Sequence, residues 1–301
     1  MENQLSRSSG FIDAEIASQS ATWQQAVTTA QEYSGLLPRP GERVAAVGCG
    51  TSWFMAMAYA GLRESRGQGL TDVFAVSEFP ASRRADYDRI VAITRSGTTT
   101  EVLQLCDDVS IPVVVITAVP DSPAAQATDA VVLPYADERS VVQTRFATTA
   151  LALLRASLGE DLTAAIGDAQ RALDVAVDDL LGLEQVTFVG QGWTVGLAHE
   201  AALKCREAAQ YWTEAYPAME YRHGPKAIAE PGRAVWSLGE VPAQLAEEVV
   251  STGARHITHE GLDPMAQLIV AQRFSAELAR SRGLNPDAPR NLDRSVVLDF
   301  S

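Results

Sequence analysis

The sequence predicts an α/β protein made of two doubly wound parallel sheets in tandem. Strand-like runs alternate with helical runs along most of the chain, which is typical of a doubly wound layer. The strand-like runs are rich in Val and Ile without polar alternation, as in sheets covered by helices on both faces. One strand–glycine–helix pattern also occurs twice. We expect a first domain over residues 1–160, with an N-terminal helix, and a second over 161–301.

The first half accounts for most of the predicted strands. A helical run, WFMAMAYAGLRESRG, follows the first strand, and another helix begins at about Glu101. A long helical region over residues 144–182 leads to the second half. The predicted strands of the first half span residues 43–48, 72–79, 89–97, 112–119 and 130–136.

The second half begins like the first. VTFVGQGWTVGLAHEAALK (186–204) resembles VAAVGCGTSWFMAMAYAGL (44–62), at a separation of 142 residues, which suggests an internal duplication. Two further strands are predicted at 233–239 and 254–261, and a helix at 263–283. This half is therefore shorter than the first by a strand–helix step. The Pro- and Asn-rich segment that follows predicts little regular structure.

Composition excludes several classes of protein. The formal net charge is −14 and the sequence has no Lys/Arg block, which disfavours binding to nucleic acid. No apolar run is long enough to span a membrane, and the N-terminus lacks a signal-peptide pattern. The three cysteines lack C-x-x-C spacing, so we expect reduced thiols, no metal site and a cytoplasmic location.

The segment ITRSGTTTEV (93–102) ends a predicted strand in a cluster of hydroxyl side chains. A single Ser or Thr would suffice to cap the helix that follows. A whole cluster at a helix N-terminus favours an anion site, most simply for phosphate. Capping alone remains the alternative interpretation.

A second loop, GCGTS (48–52), ends the first strand. Because ligands of open parallel sheets bind at the carboxyl ends of the strands, we expect both loops to face one crevice. Arg95 is either a cationic partner of the phosphate or a solvated surface arginine. The predicted phosphate ligands are the backbone at Gly50 and Gly97 and the hydroxyls of Thr51, Ser52, Thr94, Ser96 and Thr99.

The same glycines raise the possibility of a dinucleotide site. The G-x-G-x-x-G pattern is incomplete, however, because the last of its three glycines is missing in GCGTSW. Glu78 is the only acidic residue placed to contact a ribose. We therefore expect no nicotinamide cofactor.

The segment 199–227 contains the best candidates for acid–base chemistry. Glu200, Lys204 and Glu207 fall on one face of a helix, where a solvated salt-bridge face is the simpler interpretation. The rest of the helix is rich in Ala and Leu, so these charges would be costly to bury without a role. His223 follows in RHGPK, where an acid–base role near neutral pH fits better than core filling.

Together these motifs resemble the double sugar isomerase (SIS) domain family. The resemblance is closest to the isomerase half of glucosamine-6-phosphate synthase, glucosamine-6-phosphate deaminases of the SIS type and fructosamine-6-phosphate deglycases. The resemblance depends on the motifs GCGTS, TRSGTT and E-x-A-L-K-x-x-E followed by E-x-x-H-G-P. Three further segments support it: EIASQ (15–19), SEF (77–79) and PRNLDRSVVL (289–298). The resemblance covers nearly the whole chain and implies two flavodoxin-like domains.

The resemblance implies a role for each candidate. The hydroxyls of the two loops bind the sugar phosphate, and the backbone near Val141 approaches the sugar. Glu207 is the base that moves a proton between C1 and C2, while Glu200 and Lys204 support the open-chain sugar. His223 assists ring opening from the partner subunit of a homodimer. The substrate is thus a sugar phosphate, and no cofactor is implied.

Two departures from the family pattern affect the predicted reaction. No glutaminase segment precedes the isomerase-like region, so we expect that this chain is not by itself a complete synthase. Arg294 stands where the family has a lysine that forms a Schiff base, and a guanidinium cannot act as an amine nucleophile. Arg294 would at most place a positive charge near the substrate. Imine chemistry would then use the substrate's own nitrogen, which favours a deaminase or deglycase.

A non-catalytic sugar-phosphate sensor is the alternative function. Such a module needs the hydroxyl loops but not Glu207 and His223, which is why we favour an enzyme. His256 and His259 are interpreted as structural or exposed, since alternation along a strand makes them poor metal partners.

Overall fold

A computed structural model of the protein describes residues 10–298. The first sheet and its helices occupy the first half of the chain. Its strands are β1 (Val44–Gly48), β2 (Thr71–Ala75), β3 (Arg89–Ile93), β4 (Val113–Thr117) and β5 (Asp129–Val132). The helices up to the second sheet are α1 (Phe11–Ala17), α2 (Gln19–Glu32), α3 (Thr51–Ser65), α4 (Thr100–Asp108), α5 (Pro123–Ala127), α6 (Arg145–Ser157) and α7 (Thr163–Ala172).

The second half repeats the pattern with fewer elements. Its strands are β6 (Gln185–Gly190), β7 (Thr213–Pro217), β8 (Arg233–Leu238) and β9 (Arg255–Ile257). Its helices are α8 (Thr194–Ala209), α9 (Ala243–Ser251) and α10 (Pro264–Ser281). Within the described residues, no helix is both long and apolar enough to cross a membrane.

Both sheets are parallel and share one strand order. The first runs β2-β1-β3-β4-β5 and the second β7-β6-β8-β9, so the second is the same arrangement without its last strand. The order 2-1-3-4-5 is that of flavodoxin-like doubly wound folds. The predicted fold class is therefore confirmed, and so is the shorter second half.

Helices α3 and α8 meet between the two halves and position the site. A Cβ atom at Gly196 would clash with the carbonyl oxygen of Phe54, so glycine is what allows the two helices to approach so closely. Buried residues of both helices, including Tyr59 and Leu197, belong to one hydrophobic core. This contact brings the N-terminus of α3 to the middle of α8.

The structure differs from the predicted elements in several places, among them the helices α5 and α9, which were not predicted. β7 was not predicted, because its sequence TEAYP has no apolar run; it is an edge strand that pairs with β6. The long helical region breaks between α6 and α7, where Gly159 adopts a left-handed conformation with φ of 81°. The expected domain boundary after residue 160 falls in this break and stays a prediction.

Candidate active site

The two glycine-containing loops lie at the carboxyl ends of adjacent strands. β1 and β3 pair directly, and each leads through its loop into a helix, α3 or α4. Gly50 and Gly97 have φ of 54° and 62°, a region that favours glycine. A Cβ atom at Gly97 would also clash with the side chain of Ser122. Glycine at 97 thus lets the loop after β3 pack closely against Ser122, the N-cap residue of α5.

A small pocket opens between these loops. Four of the predicted hydroxyl residues line it: Ser52, Thr94, Ser96 and Thr99. Thr99 is the N-cap residue of α4, yet its side chain makes no capping hydrogen bond. Capping alone therefore does not account for the cluster. The other lining residues are Cys49, Ile93, Arg95, Val102, Gln143 and Arg294.

The C-terminal tail crosses the same loop. Ser295 Oγ lies 3.0 Å from Ser96 Oγ and 2.9 Å from Thr98 Oγ1. The backbone N–H of Thr100, in the first turn of α4, donates to the Val296 carbonyl at 3.3 Å. The tail thus holds the loop through the Ser295 hydroxyl and the Val296 carbonyl. Sequence reasoning marked the tail by its motif but missed Ser295, because nothing local to the tail indicates what it contacts.

Arg95 is buried, with 2% of its surface exposed, so the solvated-surface interpretation is wrong. Its guanidinium donates to the carbonyls of Ser140 at 3.0 Å, Val141 at 3.2 Å and Arg294 at 2.6 Å. Burial lowers its pKa, against the opposing effect of Glu138, which lies 3.8 Å away. Arg95 therefore ties the segment at 140–141 and the tail to the pocket. A phosphate contact of its own stays a prediction.

Val141 lies next to Arg95, which lines the pocket, while the approach of its backbone to the sugar stays a prediction. Its carbonyl accepts from Arg95, and its N–H donates to the carbonyl of Asp287 at 3.1 Å. The Asp287 carboxylate in turn accepts from Ser140 Oγ at 3.0 Å. This backbone segment is thus held from both sides, which keeps it in a fixed place next to the loop after β3.

The acid–base candidates on α8 form a connected group. The Glu200 and Lys204 side chains are fully buried, whereas that of Glu207 is 21% exposed. Lys204 Nζ lies 3.4 Å from Glu200 Oε1 and 2.5 Å from Glu207 Oε2, and it donates to Thr51 Oγ1 at 2.9 Å. Thr51 also donates to Glu200 at 3.3 Å. The solvated salt-bridge face is therefore wrong, and the group faces the start of α3.

The charges in this group are unequally stabilised. Burial opposes the charged form of Lys204, but the two nearby carboxylates outweigh it and raise its pKa. Burial raises the pKa of Glu200 to about 7, despite the attraction of Lys204. The second carboxylate oxygen of Glu200, Oε2, has no hydrogen-bond partner in the described chain. Glu200 can therefore hold or release a proton near neutral pH.

His223 and Arg294 are not joined to Glu207 within one chain. His223 is exposed, in a 3-10 turn (Glu220–His223) that follows β7. This turn is held on α9 by Glu248, which accepts from Arg222 at 3.1 Å. Over residues 10–298, no hydrogen bond or ion pair links His223 to Glu207. The Arg294 guanidinium lines the pocket between the two loops and pairs with Asp137.

The two other histidines of the second half lie away from this group. Both are half-buried, and His256 Nε2 lies 2.8 Å from Ser237 Oγ. The described residues contain no group of three or more His, Cys, Asp or Glu side chains placed to hold a metal ion.

Comparisons with known proteins show which chains this one is similar to. No protein-family model matches the chain. It is 26% identical to a glutamine–fructose-6-phosphate aminotransferase (isomerizing) of Methanothermobacter thermautotrophicus, over 96% of this chain and 58% of that protein. The chain spans about half the length of the curated relatives it matches.

Solved structures agree more closely in length. A glucosamine-6-phosphate deaminase from Thermotoga maritima is 26% identical, with a TM-score of 0.79 over 96% of this chain and all of that one. A tagatose-6-phosphate ketose/aldose isomerase from Escherichia coli has a TM-score of 0.78 at 16% identity, over 97% of this chain and 98% of that one, which shows a shared fold.

Proposed function

We propose that this chain, whose homologues are the isomerase (SIS) domains of aminotransferases and whose structural neighbours are phosphosugar isomerases and deaminases, is a sugar-phosphate-processing enzyme. Its substrate is an amino- or amine-linked hexose 6-phosphate. The enzyme moves a proton between C1 and C2 of the open-chain sugar. Hydrolysis then releases the nitrogen as ammonia or as a larger amine.

One observation carries this proposal: Thr51 and Ser52, adjacent at the start of α3, serve the two ends of one site. Ser52 lines the pocket of hydroxyls that suits a phosphate. Thr51 accepts a hydrogen bond from Lys204 and donates one to Glu200. We infer that a hexose whose phosphate lies in the pocket extends past Thr51 toward the α8 group that contains Glu207.

The α8 group has the features needed for proton transfer. Lys204 donates to Oε2 of Glu207 and fixes the orientation of the carboxylate. Among the described residues no hydrogen bond reaches the other oxygen, Oε1, which is free to take the proton from C1 or C2. An enediol or enolamine results, and Lys204 supplies positive charge beside it. Positioned acid–base groups of this kind contribute roughly 10²–10⁴-fold to a rate.

The residue at position 294 favours an amine-bearing substrate. Arg294 lines the pocket, but its guanidinium pairs with Asp137 and stays protonated. An imine at this site therefore has to come from the substrate's nitrogen. For glucosamine 6-phosphate, isomerisation gives the 2-imine, and addition of one water molecule yields fructose 6-phosphate and ammonia.

The test is an amine-release assay. The protein is incubated with glucosamine 6-phosphate and with fructosamine 6-phosphates that carry progressively larger amines, and free ammonia or amine is measured. Release from at least one of them, abolished in Glu207→Gln, is the expected result. Tight binding of all of them without release from any would instead indicate a sugar-phosphate-sensing module.

A further inference from the structure

A second, larger cavity of about 1000 Å³ lies at the carboxyl edge of the second sheet. Its walls come from the segments that follow β6, β8 and β9, and from the start of α10. None of the α8 acid–base residues lines it, and none of the hydroxyls of the first pocket does. The proposed reaction therefore leaves this cavity without a role.

The cavity is the counterpart of the phosphate pocket in the second half of the fold. β6 and β8 hold the positions in their sheet that β1 and β3 hold in the first. The loop after β6 contributes Gln191 and Gly192, and the loop after β8 contributes Gly239 and Glu240. In open α/β sheets this switch point, where strand order reverses, is where ligands bind. Its size is also that of a ligand pocket.

The lining of the cavity does not suit a phosphate. Where the loop after β3 carries its row of hydroxyls, the loop after β8 has the sequence GEVP, with Glu240 facing the cavity. The only Lys or Arg among the described lining residues is Arg155. It is already bonded to Glu160 at 2.5 Å and to Asp263 at 2.7 Å. An anion would thus meet excess negative charge and no available cation.

Polar groups available to a ligand nevertheless converge on the cavity. Four lining residues, all of them exposed to solvent, have side chains with no hydrogen bond or ion pair to the rest of the described chain: Gln191, Glu240, Thr258 and Glu260. The lining also contains the apolar residues Trp193, Val241, Pro242 and Leu262, and the Arg155 guanidinium lies over the Trp193 ring. Two free carboxylates, an amide and a hydroxyl, together with these apolar residues, match the requirements of a polar cation with an apolar face.

We propose that this cavity is a second ligand site, which takes a protonated amine carried on a hydroxyl-bearing body of about hexose size and rejects phosphate esters. The ammonium group lies between Glu240 and Glu260. The hydroxyls bond to Gln191 and Thr258, and the C–H face packs against the apolar residues of the lining. This proposal does not depend on the reaction at Glu207, so either one stands if the other fails.

The test is a calorimetric titration of the full chain with three probes: glucosamine, N-acetylglucosamine and glucose 6-phosphate. Glucosamine is expected to bind at least tenfold more tightly than N-acetylglucosamine, which has the same ring without the charge. Glucosamine binding is expected to persist when glucose 6-phosphate is present at saturation, because the phosphate ester occupies the other pocket. The proposal would be overturned if glucosamine showed no measurable binding, or if glucosamine and N-acetylglucosamine bound equally well.

Variants locate the site. The double change Glu240→Gln and Glu260→Gln is expected to weaken the binding of glucosamine about tenfold or more. It is expected to leave the binding of glucose 6-phosphate unchanged. Glu247→Gln, at an exposed carboxylate of α9 outside the cavity lining, is the matched control and is expected to change neither. Melting temperatures verify that the variants remain folded. Glucosamine binding that survives the double change but is lost in Ser96→Ala would place it in the phosphate pocket and contradict the proposal.

Discussion

Lys204 lies between two carboxylates, 3.4 Å from Glu200 and 2.5 Å from Glu207, and its side chain has no solvent exposure. Burying ionisable groups such as Glu200 and Lys204 is costly unless they are paired and hydrogen-bonded, and here Thr51 bonds to both. The helical spacing of the three residues was readable from the sequence. Their bond to Thr51 was not, because it joins residues about 150 positions apart through the packing of α3 on α8.

The buried carboxyl of Glu200 makes stability depend on pH. Burial raises its pKa in the folded state from 4.5 to about 7. Between these values the folded state binds more protons than the unfolded state, so the free energy of unfolding falls as pH rises through this window. Glu200→Gln resembles the protonated form. From pH 5 to pH 8, its free energy of unfolding is therefore expected to rise relative to that of wild type by on the order of 2 kcal/mol.

Urea unfolding of both proteins at the two pH values measures this difference. Glu247→Gln, at an exposed position, is the control and is expected to follow wild type at both. A Glu200→Gln variant whose stability relative to wild type is the same at pH 5 and pH 8 would show that Glu200 is ionised throughout.

At the scale of elements, most helices and strands followed from the sequence, because apolar runs and helical patterns determine them locally. β7 escaped, since an edge strand with the sequence TEAYP has no such run. The contacts between elements were not predictable from the sequence either. Arg95 joins the loop after β3 to the segment at 140–141 and to the tail at 294, and no local pattern shows these partners.

The Arg95 links predict a specific loss of stability. Arg95→Met leaves the carbonyls of Ser140, Val141 and Arg294 without their donor and is expected to lower the free energy of unfolding by about 2–4 kcal/mol. Arg95→Lys is expected to be intermediate, because an ammonium group lacks the planar fork of donors. Amide hydrogen exchange of the tail should become faster in both variants.

Arg255→Met provides the matched control for Arg95. Arg255 pairs with Asp179 at 2.6 Å on the surface, where an ion pair contributes less than about 1 kcal/mol. If Arg95→Met were no less stable than Arg255→Met and its tail exchanged at the wild-type rate, Arg95 would have no role in joining these segments.

The loop after β3 predicts a selective effect on phosphorylated substrates. If Ser96 and Thr99 bind the phosphate as proposed, Ser96→Ala and Thr99→Ala each remove a hydrogen bond to a charged group, worth about 1.5–3 kcal/mol. KM for the phosphorylated sugar is expected to rise about 10- to 150-fold in each variant, with any activity on the unphosphorylated sugar unchanged.

Because Ser96 also bonds to the tail, Ser295→Ala is the control, since it removes the same bond from the other side. It is expected to raise KM much less than Ser96→Ala does. Equal increases in the two variants, or equal losses on both sugars, would mean that the hydroxyls only hold the loop and the tail together.

At the scale of the whole molecule, one of the predicted catalytic residues, His223, lies apart from the others. Glu207 lies on α8, whereas His223 is exposed on a turn held against α9. The duplication itself was readable from the repeated strand–glycine–helix pattern. Whether a partner supplies His223 depends on association between chains, which no pattern within one sequence specifies.

A shared site predicts that inactive chains complement each other. If His223 acts in the partner subunit's site, a mixture of Glu207→Gln and His223→Ala chains forms mixed dimers with one intact site each. After subunit exchange, a random mixture is expected to regain about a quarter of the wild-type activity per total site, because half of the dimers are mixed. If exchange is verified by mass and the mixture remains inactive, the two residues act from the same chain.

The most direct test of the account is the pair of measurements on Glu207→Gln: amine release from the best hexose 6-phosphate, and binding of that substrate by calorimetry. The Gln side chain keeps an oxygen that can accept from Lys204, so the fold and the dissociation constant are expected to stay near wild type. Turnover is expected to fall by roughly 10²–10⁴-fold, because the amide cannot take the proton from C1 or C2. Near-normal turnover in this variant would contradict the assignment of Glu207 as the base and, with it, the proposed mechanism.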